Sequence, residues 1–429
     1  MIPTLAKQLE SSAVDTKILK KKYKPMLALA NELIGVVPNA DPILEIWPIG
    51  FRTYNLLMPN LLGLPSYLLK KKSLKSLVGL ATYISSKTAN CSYCTAHSCS
   101  FALRRGLDTK VITGERELSQ KENAVIEFAS SLSSIPVTLT KERYNDFRKH
   151  LSAKEIERIV YSIGLMGFLN KFMDATGITI EQNSLQDVGK LLSSDGWQPG
   201  KHFEGSFDAS EIQSKPIRQD SFMTFLRVLK HAPGVVFLEK KWTRGVPGSY
   251  ARAKVYLQKH TGYTFPILKN IKNRKILKAI TTVIKINLDK ETTQLGLRVK
   301  YLLSVVYFKT VQNEVLSKDS QMIIMKKIPN VGTDTIKRIE RIGTAKIPKN
   351  ANYCRALLSD LSSSTCLTKE EAAAIILARA MSDSPAEVSE IILKEISPLL
   401  TPESIVELGV WISIQQLFHR LDSFYRIAN

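Results

Sequence analysis

The stretch Asn90-Cys91-Ser92-Tyr93-Cys94-Thr95-Ala96-His97 places two thiols and an imidazole within two turns of one short helix. Cysteines three apart on a helix project from neighbouring positions on one face, close enough to form a disulfide with little backbone movement. That spacing is a dithiol redox signature, and His97, three residues past Cys94, adds a base on the same side. Asn90 suits an N-cap, and Phe101, Ala102 and Leu103 followed by Arg104, Arg105 and Gly106 suit a helix that closes at the glycine. Both thiols then lie at the positive end of the helix dipole, where a thiolate is stabilised, so Cys94 is expected to titrate below an ordinary cysteine.

Cys91, Cys94, His97 and Cys99 also supply four zinc donors within nine residues. Structural zinc sites draw their donors from two separated knuckles, and one continuous helix cannot wrap four ligands tetrahedrally around an ion. Neither a metal nor a cofactor is therefore assigned, and Cys99 reads as a small buried hydrophobe. The chain has 5 cysteines, and its first apolar stretches are broken by Lys17, Lys20, Lys21, Lys22 and Lys24. This pattern predicts a cytoplasmic protein with reduced thiols, not a secreted disulfide scaffold.

The motif needs helices to hold it. Leu74, Leu77, Val78, Leu80, Ala81 and Ile84 predict an amphipathic helix just before it, and residues 151–177 predict a long helix after it. On these residues the chain resembles the carboxymuconolactone decarboxylase and alkylhydroperoxidase D superfamily, over roughly residues 40–200. The resemblance implies an all-α fold and a peroxidase chemistry in which Cys94 attacks the hydroperoxide, Cys91 resolves it as a disulfide, and His97 belongs to the proton relay. Three positions depart from the family pattern. The family histidine falls on Ser98, the family glutamate falls near Gly79, and Tyr93 stands where some members have a histidine.

A shift of 249 residues lays Leu118-Ser-Gln-Lys-Glu-Asn-Ala on Leu367-Thr-Lys-Glu-Glu-Ala-Ala, and Lys171 on Arg420, with no gap from 118 to 174. The chain is thus expected to be all-α, with two helical bundles of this family packed about a pseudo-twofold axis. Their bounds are 1–195 for the domain with the motif, 196–220 for a linker rich in Gly, Ser and Asp, and 221–429 for a degenerate, basic second copy. Aligning Asn313 with Asn90 would put Glu314, Ser317 and Ser320 in place of Cys91, Cys94 and His97, with residues 329–348 as an insertion.

The net charge is +21. Residues 1–200 carry 25 basic and 18 acidic side chains, residues 201–350 carry 29 and 11, and residues 351–429 carry 6 and 10. The basic 201–350 region is a candidate surface for an acidic partner, although a solvated lysine face would have the same composition. No stretch has the roughly 18 apolar residues of a membrane span. The expected function is thiol-dependent reduction of a hydroperoxide by catalytic Cys91, Cys94 and His97. A dithiol reductant, by analogy a lipoyl group or a small redoxin, regenerates the pair, and a homo-oligomer is expected as in the family. The alternative is a decayed scaffold that binds or regulates.

Overall fold

Leu77, Val78, Leu80 and Ala81 form the buried face of the first helix that matters for the site, Lys72–Thr88. The motif helix, Ser92–Arg104, folds back against it, and Gly79 allows that approach. A Cβ there would come within 2.7 Å of the Ala102 Cα. The computed structural model describes residues 3–429 and is 72% helical, with no strand among the described residues.

The long helix expected at 151–177 spans Ala153–Thr176. Ser152 and Glu155 form a capping box at its start, and Gly177, at φ +70°, closes it. The helix Gln120–Ser133 starts with the same device, Ser119 with Glu122. The corresponding positions 249 residues on begin Lys369–Ser382, with Thr368 and Glu371 as its capping box, and Pro402–Ala428, capped by Thr401.

The two long helices lie antiparallel and in contact. The Tyr161 and Tyr425 hydroxyls meet at 3.0 Å, Gly164 faces Leu417 and Leu421, and Gly409 faces Phe172. Two buried cations stitch the halves together from corresponding positions. Lys171 Nζ donates to the Ser382 carbonyl (2.9 Å) and to Ser384 Oγ (3.1 Å), while Arg420 Nη1 donates to Ser85 Oγ (2.6 Å) and the Ile163 carbonyl (2.9 Å). One continuous apolar core runs through both halves.

The linker and the inserted segment are both ordered. In the linker 196–220, Trp197 Nε1 reaches the Ser92 carbonyl (3.3 Å) and His202 is buried among the residues of the motif. Within 329–348 the chain forms a regular helix, Thr333–Thr344, whose Ile336, Ile339 and Ile342 are buried. No helix among the described residues is long and apolar enough to cross a membrane.

Candidate active site

The turn between the two hairpin helices sets the thiols. Asn90 is not the N-cap; it takes a left-handed conformation at φ +53°, and Cys91 is the cap. A thiol can cap because sulfur accepts a hydrogen bond, and Cys91 Sγ accepts from the Cys94 backbone N–H at 3.2 Å. Cys94 is therefore the third residue of the helix. Both cysteines are free thiols and buried. Thr95 Oγ1 donates to the Cys91 carbonyl (2.9 Å) and Ser98 Oγ to the Cys94 carbonyl (2.6 Å), tying the first turn together.

Two histidines, each with a carboxylate, flank the thiols. On the cavity side His97 Nε2 lies 2.7 Å from Glu181 Oε2, and Glu181 Oε1 accepts from the Tyr93 hydroxyl (2.8 Å) and the Asn39 backbone N–H (2.6 Å). Burial pushes the Glu181 carboxyl up, but His97 and these donors outweigh it and hold it below the ordinary carboxylate range. His97 Nδ1 is buried without a hydrogen-bond partner. On the inner side His202 Nδ1 donates to the Ile178 carbonyl (2.6 Å), which aims Nε2 toward Asp174, 3.9 Å away, and toward Cys91. Asp174 is held by Lys201 Nζ (2.8 Å) and the Ala386 backbone N–H (2.6 Å), the latter from the second half.

These surroundings reverse the expected acidity of the pair. Burial raises the Cys91 thiol, but hydrogen bonding to Cys94 and the facing His202 bring it down to about 6. Burial is also the largest effect on Cys94, and the neighbouring Cys91 sulfur adds to it, so Cys94 lies well above an ordinary cysteine. His202 is disfavoured as a cation by burial, yet Asp174 and Cys91 carry it up to about 9. The surroundings thus favour the thiolate on Cys91 and disfavour it on Cys94.

Access is unequal. An apolar cavity of about 70 Å³ is lined by Cys94, His97, Tyr54, Phe101, Leu165 and Met173 among others, whereas Cys91 lies behind Cys94, outside the lining. The structure thus brings Cys91, Cys94 and His97 into one site and leaves Cys99 apart, buried and with its thiol pushed up by burial alone. Sequence reasoning missed His202, Glu181 and Asp174. Asp174 was visible as a carboxylate in the largely apolar second half of its helix, but a histidine in a Gly- and Ser-rich stretch carries no periodic signal.

The counterpart hairpin corrects the second-half alignment. Gln312 (φ +59°) occupies the left-handed place of Asn90, and Asn313 is the cap of helix Glu314–Lys327, its Oδ1 accepting from the Leu316 N–H at 3.1 Å. The shift is therefore 222, not 223. Asn313, Leu316 and Asp319 replace Cys91, Cys94 and His97, rather than Glu314, Ser317 and Ser320.

The chain matches no protein-family model and no curated protein. Among solved structures, the debrominase Bmp8 in its apo crystal form is similar over 42% of this chain and 95% of that chain, at 21% identity and a TM-score of 0.36, which leaves the family open.

Proposed function

We propose that the chain is a thiol-dependent oxidoreductase that reduces hydroperoxides through Cys91 and Cys94, built as a tandem of two alkylhydroperoxidase D-like bundles about a pseudo-twofold axis, the second without thiols at the corresponding site positions. The observation that carries the reaction is the asymmetry of the pair. Cys94 faces the cavity beside His97 and Glu181, and Cys91 stands behind it as the stabilised thiolate beside His202. A cavity of about 70 Å³ admits a hydroperoxide group and a few carbons.

Cys94 sulfur attacks the terminal peroxide oxygen while its proton passes to the Cys91 thiolate. The O–O bond breaks, and the leaving alkoxide takes a proton from His97, which Glu181 orients. Cys94 is left as a sulfenic acid. Cys91 then attacks the Cys94 sulfur, the S–O bond breaks, and its own proton leaves with the hydroxide as water. One hydroperoxide and two thiols become one alcohol, one water and one disulfide. A dithiol donor returns two electrons and two protons.

Titration of the purified chain with cumene hydroperoxide, followed by peptide mass spectrometry, tests this. One equivalent is expected to remove two hydrogens and link Cys91 to Cys94. A pair that stays reduced would sink the enzymatic reading and leave the binding-scaffold alternative.

A further inference from the structure

Helix Phe222–Trp242 is apolar on two opposite faces, and only one of them is covered. Thr224, Val228 and Val235 are buried toward the rest of the protein, where Gly234 lies against Pro25 of helix Thr16–Ile34. At helical spacing, the opposite face presents Phe222 (68% exposed), Met223, Leu226, Leu229, Val236 and Phe237 (68%) to solvent. Single exposed apolar residues are ordinary, but a continuous stripe along more than three turns is not.

The border of the stripe is basic. Lys230, Lys240 and Lys241 are exposed on the same side, and the next helix, Tyr250–Thr261, adds exposed Arg252, Lys254 and Lys259 around Val255, itself 70% exposed. Residues 222–261 hold eight Lys and Arg against one acid, Glu239, a net charge of +7. An apolar stripe with aromatic residues and a lysine border is the pattern of a helix that lies in the headgroup region of a bilayer. The charge selects the surface. A second copy of this face would bring +7 against +7, whereas anionic headgroups attract each lysine near them.

We infer that helix Phe222–Trp242, with the basic face of Tyr250–Thr261, docks the protein on an anionic membrane surface, its apolar stripe inserted between the headgroups. This inference is independent of the thiol chemistry.

Co-sedimentation of the full chain with vesicles tests it, using phosphatidylcholine alone against phosphatidylcholine with phosphatidylserine. Binding is expected with the anionic vesicles only and falls as salt is raised. F222S/F237S changes residues that are two-thirds exposed, so far-UV circular dichroism stays as in the wild type while partitioning drops by more than about tenfold. K240E/K241E lowers it by about fivefold or more for each lysine, since each favourable charge is also made unfavourable. Absence of binding to anionic vesicles overturns the proposal, as does unaltered binding by F222S/F237S. Sedimentation that shows a wild-type dimer abolished by F222S/F237S would assign the face to a second copy instead.

Discussion

The hairpin that carries the thiols and its counterpart in the second half share a backbone and differ in what they do with their polar groups. In the first, the capping side chain is a thiol, His97 keeps its Nδ1 unpartnered, and His202 turns its Nε2 toward Asp174 and Cys91. In the second, the cap Asn313 donates through Nδ2 to His419 Nδ1 (3.1 Å) and Asp422 Oδ2 (3.2 Å), and burial takes His419 down to about 3, so its ring is neutral. The first cavity is open to about 70 Å³; the second shrinks to about 20 Å³ between Tyr301, Phe308, Trp411 and Phe418, enough for about one water. Nearby, Lys300 and Glu407 form a wholly buried ion pair at 2.6 Å, and Glu407 also accepts from the Gln294 and Leu295 N–H groups. His419 Nε2 is left without a partner as well, so the two hairpins differ chiefly in the cap, an amide in place of a thiol, and in the size of the cavity.

Substitution at the cavity thiol should have the largest effect on the first hairpin and none on the second. Cys94→Ser is expected to abolish peroxide consumption in a stopped-flow assay, while Cys99→Ser changes it less than about twofold, since no base or charge faces Cys99. A dead Cys99 variant beside an active Cys94 variant would reverse the assignment. His97→Asn comes next, with a loss of about 10²-fold in the rate of sulfenic acid formation, the usual contribution of a positioned acid. A rate within twofold of wild type would remove His97 from the proton path.

His202→Gln is a milder test with a directional readout. The Cys91 thiolate forms as pH rises through about 6, so the wild-type rate should climb there. The rate limb should move up by about one pH unit or more once the imidazolium is gone; a shift from about 6 to about 7 gives about twofold less activity at pH 7 and approaches about tenfold less below pH 6. Ultraviolet absorbance of the thiolate, followed against pH, checks the same shift without turnover, and an unmoved limb would exclude His202 as the group that lowers Cys91. The smallest effect on chemistry is expected in the counterpart. Asn313→Ala removes a helix cap and leaves His419 Nδ1 without its partner, lowering stability by about 1–3 kcal/mol in denaturant melts with no change in thiol reactivity.

Helical periodicity was legible because it is local. Leu74 to Ile84 and the capping boxes at Ser119, Ser152 and Thr368 mark helices by spacing alone, and the structure places helices on each of them. The caps at Thr368 and Thr401 lie 249 residues beyond those at Ser119 and Ser152, which is again a local pattern. The cap at Cys91 was not legible, because asparagine is the commoner cap and only the backbone reveals that Asn90 has turned left-handed. Nor was the 222-residue offset of the counterpart, which differs by one from the sequence alignment and exchanges every site position.

What the sequence by itself determined is the dithiol, its place at the start of a helix, and the all-helical class, each set by residues within a few turns of one another. Only the tertiary structure decided which sulfur meets the cavity and which carries the charge. Those properties arise from His202, more than one hundred residues away in the chain, from Asp174, whose carboxylate is tied to the second half through the Ala386 N–H, and from Glu181 beside His97. Acidity in a buried site is the balance of desolvation against the few charges within reach, and reach is a matter of three-dimensional packing that no local pattern encodes.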